Sequence, residues 1–230
     1  MLEGLHALKH AWRFGAEVTL AVTPDRAALV ALAMRLAPDL RARLDAVVGE
    51  VAPELFQRLA PVPPRTGVLA LARRPSAPVS DLLATTTGGP VVFLENPSDL
   101  GNIGAVVRVA AAAGAAAVLT TGRHDPWHPA VLRGSAGLHF ALPVRCIATL
   151  PATARPLLAL HPEGAPLAPA SIPPGAILAF GTERGGLSAD LLARADAWVA
   201  IPMQAGVSSL NLATAVAVVL YAWRLARGAD

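Results

Sequence analysis

Short apolar segments alternate with helical patterns through the last two thirds of the chain, and this alternation limits the possible folds most. Each segment is rich in Val, Leu, Ile and Ala and leads into Gly, Asn, Thr or Pro. The predicted strands are 91–95, 116–120, 157–160, 176–180 and 197–201, and the predicted helices are 103–113, 128–133, 189–195 and 210–227. Such alternation is typical of an α/β fold, a mostly parallel sheet with helices on both faces.

A second, smaller α/β pattern precedes this region. Its predicted helices are 4–14, 25–36 and 53–59, and its predicted strands are 17–22 and 67–72. A stretch rich in Pro, Ser, Thr and Gly then lacks any sustained period, as expected of a linker. We therefore predict a domain at 1–74, a linker at 75–90 and a larger domain at 91–230.

The excess positive charge lies in the N-terminal third of the chain. Residues 1–80 contain ten basic and seven acidic side chains, whereas the remaining residues contain nine of each. Lys9 is the only lysine, and arginine suits bidentate contacts with phosphate. The balance indicates a polyanionic partner, although a genomic bias toward arginine codons would also explain it.

Composition argues against several classes of protein. The chain is 54% apolar, but its longest apolar runs are shorter than the ~20 residues of a membrane-spanning helix. We find no secretory signal pattern and expect a cytoplasmic location. Cys146 is the only cysteine, which excludes an internal disulfide and is typical of a small buried side chain. His124, Asp125 and His128 lack a third His or Cys ligand at suitable spacing, so we expect no metal.

Polar residues follow the first strand of the larger domain, in the stretch ENPSDLGNIGAVVRVA at 95–110. Asn102 is interpreted either as a helix cap or as a ligand-binding residue. Arg108 is either solvated or part of a site. Six residues correspond to about 1.7 helical turns, so the two side chains reach a common ligand only if Asn102 precedes the helix.

Two further strand ends carry glycine and polar residues. Residues 177–188 read ILAFGTERGGLS, in which three closely spaced glycines indicate a tight backbone turn. Residues 201–211 read IPMQAGVSSLN, where Ser209 and Asn211 either cap the last helix or face a ligand. A dinucleotide-binding fold is a weaker alternative, because the full GxGxxG pattern with its acidic partner is absent.

Taken in order, these motifs resemble those of a known family. N-I-G-A-V-V-R at 102–108, G-T-E-R-G-G at 181–186 and I-P-M-Q-A-G-V-S-S-L-N at 201–211 are similar to the three motifs of the SpoU/TrmH RNA 2′-O-ribose methyltransferases of the SPOUT superfamily. R-G-S-A-G-L-H-F-A-L-P-V at 133–144 resembles the segment that links them. The resemblance covers residues 91–225.

The N-terminal part resembles the L30e/L7Ae-like substrate-binding domain found in this family. E-G-L-H-A-L-K-H-A at 3–11 and R-T-G-V-L-A at 65–70 carry the likeness. Arg65 and Thr66 depart from the family pattern, which is closer to His-Gln-Gly.

The resemblance implies a deep trefoil knot in the larger domain, a homodimer, and S-adenosylmethionine as cofactor. It also implies the site residues. The positions matching the functional polar residues are Asn102, Arg108, Glu183, Ser209 and Asn211. The positions matching or neighbouring the cofactor contacts are Gly181, Ile201, Met203 and Leu210.

The implied reaction is methyl transfer to a ribose 2′-hydroxyl of RNA, with ribosomal 23S RNA preferred as substrate and tRNA as the alternative. Ser209 and Asn211 would position the loop, the cofactor or the ribose, and Glu183 and Asn102 would fix neighbouring backbone. A guanidinium is protonated at neutral pH, so Arg108 would grip a phosphate and stabilise the developing alkoxide. The alternatives are a non-catalytic RNA-binding relative and a nicotinamide-dependent oxidoreductase.

Overall fold

The computed structural model describes residues 1–60, 62–182 and 185–228. Its backbone divides into two compact units. The smaller comprises Met1–Pro75 and Ala136–Ala141, and the larger comprises Ser76–Ser135 and the chain from Leu142 onward.

The smaller unit is a four-stranded mixed sheet with helices. Its elements are β1 (Leu2–Glu3), α1 (Leu5–Arg13), β2 (Val18–Thr23), α2 (Arg26–Leu36), α3 (Arg41–Val47), β3 (Val48–Glu50), α4 (Pro53–Leu59) and β4 (Leu69–Ala72), with short 3₁₀ turns at Pro38–Leu40 and Leu138–Phe140. The strand order is β1-β4-β2-β3, and only β2 and β3 pair in parallel. The L30e-like character of this unit stays a prediction.

Residues 136–141 join the smaller unit through a close backbone contact. Gly137 has φ of 75°, and a Cβ atom there would lie 2.7 Å from the Cα and the carbonyl oxygen of Ala7 in α1. The Nδ1–H of His10 donates to the carbonyl oxygen of Ala136 at 2.7 Å. Burial of the imidazole lowers the pKa of His10. Glycine is therefore required where this segment crosses α1.

The larger unit is built on a six-stranded, entirely parallel sheet. Its elements are α5 (Val79–Ala84), β5 (Val91–Leu94), α6 (Leu100–Ala113), β6 (Ala117–Thr120), α7 (Pro129–Gly134), β7 (Val144–Cys146), β8 (Leu157–Pro166), β9 (Ile177–Phe180), α8 (Ala189–Arg194), β10 (Ala197–Ala200) and α9 (Leu212–Ala226), with a 3₁₀ turn at Pro169–Ser171. The strand order is β10-β8-β9-β5-β6-β7. This confirms the predicted α/β class with a parallel sheet, while the trefoil knot stays a prediction.

The central strands β5, β6 and β9 are buried along their whole length. Strands covered on both faces are expected to be continuously apolar, as VVFL and ILAF are. Phe93, Leu119 and Ile177, one from each of these strands, belong to a single cluster of buried apolar side chains. These strands form the rigid centre of the unit.

Several elements differ from the sequence prediction. The helix α6 begins three residues earlier than expected, because Asp99 is its N-cap and accepts the backbone N–H of Asn102 at 2.7 Å. The strand β7 and the helix α3 were not predicted, and β8 is longer than expected. The helix α5 lies within the stretch interpreted as a linker.

The structure bears on the predicted burial of Cys146 and on the predicted lack of a membrane-spanning helix. Cys146 is exposed, so the prediction that it is buried is wrong; it lies at the end of the sheet-edge strand β7. None of the helices in the described ranges combines the length and apolar character needed to cross a membrane.

A buried arginine links α5 to the segment before β9 within the larger unit. Arg155 is 3% exposed, and its guanidinium donates to the carbonyl oxygens of Gly175 and, at 3.0 Å, of Leu82 in α5. Burial lowers the pKa of this guanidinium. Buried carbonyl groups need donors, so Arg155 supplies hydrogen bonds that an aliphatic side chain cannot.

We expect Arg155→Met to destabilise the larger unit by about 1–3 kcal/mol, because it leaves two carbonyl oxygens without these donors. The matched control is Arg227→Met, which removes an exposed guanidinium lying over the Trp223 ring. Its expected cost is at most about 1 kcal/mol. Urea denaturation of both variants measures the difference in their free energies of unfolding. Equal midpoints would show that the hydrogen bonds of Arg155 do not stabilise the unit.

Candidate active site

The parallel sheet brings several polar loops to one edge. In the register of the central strands, Leu94 is paired with Phe180 on one side and with Thr120 on the other. The loops that follow these residues therefore start level with one another. Ligands of open α/β sheets bind outside the carboxyl ends of the strands, which makes this edge the place to look for a site.

A cleft of about 360 Å³ lies at this edge. Its lining comes from the middle of β8, the end of β9 with the turn that follows it, β10 with the loop between β10 and α9, and the first turn of α9. Among the lining residues are Gly181, Ile201, Met203, Ser209 and Leu210. The four predicted cofactor-contacting positions and one predicted polar position thus line a single cleft.

The first wall of the cleft is a tight turn after β9. Thr182 and Gly186 exchange backbone hydrogen bonds at 3.1 Å, and the Thr182 hydroxyl accepts the N–H of Gly185 at 2.8 Å. A Cβ atom on Gly181 would lie 2.0 Å from the carbonyl carbon of Gly186. Gly181 is therefore required by close backbone approach, and Gly186 is favoured by its φ of 64°. Glu183, a predicted site residue in this turn, lies outside the described residues.

Asn211 joins the two other motifs. Its side-chain oxygen accepts the backbone N–H groups of Ala213 and Thr214, at 2.9 and 3.3 Å, which makes it the N-cap of α9. Its amide nitrogen donates to the side-chain oxygen of Asn102 at 2.9 Å. One amide thus serves as both the helix cap and a link to α6. Ser209 does not cap α9 but lines the cleft.

Arg108 is exposed on α6 and does not line this cleft. Because Asn102 lies inside the first turn of α6, the two residues are separated by about 1.7 turns of one helix and point to different sides. Within the described ranges, the side chain of Arg108 takes part in no hydrogen bond or ion pair that the structure shows. It is therefore available for a ligand on the protein surface.

Residues missed by the sequence reasoning also shape the site. The Glu95 carboxylate accepts both the backbone N–H and the hydroxyl of Ser188, each at 2.6 Å, and so joins the end of β5 to the N-cap of α8. His161 lines the cleft, and its ring lies 4.7 Å from that of Trp198. Glu95 is the charged last residue of the strand predicted at 91–95, a position that could have identified it; His161 has no comparable signal.

The residues around His128 do not form a metal site in the part of the chain that the structure describes. His128 caps α7 by accepting the N–H of Ala130, and Asp125 accepts the N–H of Trp127. Both side chains therefore have local structural partners.

Comparison with known proteins agrees with this arrangement. The model of the SpoU rRNA Methylase family matches residues 89–221, which contain the parallel sheet and every residue of the cleft. The chain belongs to the SpoU rRNA methylase family.

The SpoU-family relatives include an uncharacterised tRNA/rRNA methyltransferase of Synechocystis, 40% identical over 144 residues that cover 56% of this chain and 51% of the relative. The 23S rRNA (guanosine(2553)-2′-O)-methyltransferase RlmP of Bacillus subtilis is 32% identical over 147 residues, covering 59% of this chain and 58% of that protein. The chain thus spans between half and three fifths of the length of these relatives.

The fold is also that of a solved SpoU methyltransferase, AviRb from Streptomyces viridochromogenes in complex with the cofactor AdoMet. The structures superpose with a TM-score of 0.79, covering 98% of this chain and 89% of AviRb at 24% identity. The coverage extends the shared fold to both units of the chain.

We expect Asn211→Ala to destabilise the SpoU-type unit by about 0.5–2 kcal/mol, because the N-cap of α9 is lost. Asn211→Asp keeps the cap oxygen and should cost only a few tenths of a kcal/mol, although it removes the amide donor to Asn102. Urea denaturation of the two variants checks this. Equal destabilisation of both would show that the bond to Asn102, and not the cap, carries the stability.

Proposed function

We propose that this chain is an RNA 2′-O-ribose methyltransferase that uses S-adenosylmethionine. The observation that carries the proposal is the single cleft that gathers Gly181, Ile201, Met203, Ser209 and Leu210 beside the Asn102–Asn211 pair. Membership of the SpoU family and the similarity to a 23S rRNA 2′-O-methyltransferase support the reaction class.

The cleft suits the adenosine part of S-adenosylmethionine. Its walls combine aliphatic and thioether side chains, such as Ile201 and Met203, with glycine backbone and the hydroxyls of Ser208 and Ser209. Its volume of about 360 Å³ is within the usual range for small-molecule sites. S-adenosylmethionine, when bound, supplies a methyl group on a positively charged sulfur.

The residues of the chain would then position the ribose and stabilise charge. Ser209 on the cleft wall and the linked amides of Asn102 and Asn211 would orient the acceptor hydroxyl toward the cofactor. Correct orientation alone contributes several kcal/mol to lowering a barrier. Arg108 would hold a phosphate next to the target ribose and stabilise the alkoxide as the proton leaves through that phosphate or water.

Ribosomal 23S RNA is our preferred substrate, because RlmP acts on that RNA, and tRNA is the alternative. A non-catalytic RNA-binding relative is disfavoured by the intact set of polar motif residues. A nicotinamide-dependent oxidoreductase is disfavoured by the family to which the chain belongs.

We expect Arg108→Ala to lower kcat for methyl transfer by about 10²–10³-fold, because a preorganised charge at the reacting oxygen is lost. The affinity for S-adenosylmethionine should not change, since Arg108 does not line the cleft. Transfer of labelled methyl to RNA lacking the modification, with tRNA and large-subunit rRNA separated afterwards, gives the rate and the substrate together. Calorimetric titration gives the cofactor affinity.

The control for that experiment is Arg227→Ala, which removes another exposed guanidinium and should retain the wild-type rate. Ribose label in tRNA would keep the reaction and overturn the substrate preference. Wild-type activity in Arg108→Ala would overturn the role of Arg108. An Arg108→Lys variant with the pH–rate profile of the wild type would show that Arg108 is not the titrating base.

We also propose that the chain forms a homodimer through α9. The outward side of this helix carries Val218, Tyr221 and Leu225, which are 40%, 40% and 76% exposed and three or four residues apart. An apolar stripe of this kind on a surface helix marks a contact surface. A second copy is the occupant implied by the family resemblance.

The combined substitution Tyr221→Glu and Leu225→Glu should shift the protein from dimer to monomer, because it places two carboxylates in the apolar contact. Light scattering coupled to size exclusion measures the mass. The matched control is Leu36→Glu, which changes a leucine of α2 that is 43% exposed. A monomeric wild type, or a dimer that survives both charges, would contradict the proposal.

A further inference from the structure

A second cleft, of about 380 Å³, opens at the same sheet edge and is not used by the arrangement described above. Six residues line it: Asn96, Pro97, Ser98, Arg123, His124 and Thr182. They belong to the loops that follow β5, β6 and β9, the three central strands. Thr182 also lines the first cleft, so the two clefts adjoin at this residue.

The backbone beneath the second cleft is held in an unusual conformation. Asn96 has φ of 48° and donates its backbone N–H to the Thr121 hydroxyl at 2.9 Å. Gly122 has φ of 86°, and a Cβ atom there would lie 2.1 Å from the side-chain oxygen of Asn96. Left-handed backbone in a residue other than glycine is uncommon. The two loops are thus fitted to one another, and this places Arg123 and His124 beside Asn96.

The charge in this cleft comes from Arg123. The Arg123 side chain is exposed, and its Nε–H points to Nε2 of His124 at 3.4 Å. In the described parts of the chain Arg123 forms no ion pair with a carboxylate. A guanidinium with free donors suits the two oxygens of a phosphodiester. The neighbouring imidazole and amide offer a ring face and hydrogen-bonding groups to a base.

We infer that the second cleft receives a nucleotide of the RNA strand, with Arg123 binding its phosphate. This rests on the proposed function, since it places the RNA next to the cleft assigned to S-adenosylmethionine, with Thr182 between them. Phosphate contacts set the register of a strand without reading its sequence. Arg123 is therefore a positioning residue that would bring the acceptor ribose to the border between the two clefts.

The test is the salt dependence of RNA binding. A short fluorescent single-stranded RNA of mixed sequence is titrated with full-length wild type, Arg123→Gln, Arg123→Lys and Arg227→Gln at several salt concentrations. For single strands each lost phosphate contact lowers the slope of log K against log salt by about 0.7. Arg123→Gln should show that loss and bind several-fold more weakly, while Arg123→Lys keeps the slope. Arg227→Gln, which removes a charge elsewhere on the same unit, should match the wild type.

A slope and an affinity in Arg123→Gln equal to those of the wild type would overturn the inference, as would equal losses in Arg227→Gln. Calorimetric titration with S-adenosylmethionine separates this result from the proposed function. Arg123→Gln should bind the cofactor as the wild type does. A loss of cofactor affinity with an unchanged RNA slope would assign Arg123 to the cofactor instead. Wild type that binds RNA but not the cofactor would contradict the proposed function and leave the RNA slope to decide the role of Arg123.

Discussion

The parallel register of β9, β5 and β6 is the constraint on which the larger unit depends. This register aligns the carboxyl ends of three buried strands. The loops that follow Leu94, Phe180 and Thr120 therefore begin at the same edge of the sheet. A parallel sheet buries its strands on both faces, so the side chains that can contact a ligand lie in those loops. Both clefts use loops from this edge, and Thr182, two residues beyond β9, is common to the two.

The sheet could be predicted because each central strand is a continuous apolar run ended by glycine or a polar residue. The smaller details depended on contacts that no local pattern reveals. Sequence alone offered Asn102 as a cap, but Asp99 occupies that position and draws Asn102 into the helix. The strand β7 was missed because its residues, Val144–Cys146, include an arginine, as an edge strand with one open side tolerates. The site motifs could be recognised, whereas the Glu95–Ser188 link required the fold.

The helix α6 begins three residues before the predicted start, so Asn102 lies inside the helix and not in the loop before it. This changes which residues of the motif can reach one ligand. Asn102 reaches Asn211 and thereby the first cleft, whereas Arg108 projects from another side of the same helix. A ligand that touches both residues of one chain would have to bend around α6. In a homodimer Arg108 could instead face the cleft of a second copy. The proposed dimer and the proposed role of Arg108 therefore support each other. The molecular mass measured in solution thus also tests whether Arg108 can act at the cleft of a second copy.

Ion pairing, and not net charge alone, limits which arginines are available to bind a phosphate. The N-terminal third has the excess of positive charge, yet four of its arginines form ion pairs: Arg13 with Asp39, Arg26 and Arg41 with Asp45, and Arg73 with Glu17. The guanidinium of Arg73 lowers the pKa of Glu17, so the carboxylate stays charged and competes with any phosphate. Arg108 and Arg123 lie in the part of the chain with no net charge, and within the described ranges neither has a carboxylate partner. In the proposed complex these two guanidinium groups would bind phosphate without first giving up an ion pair.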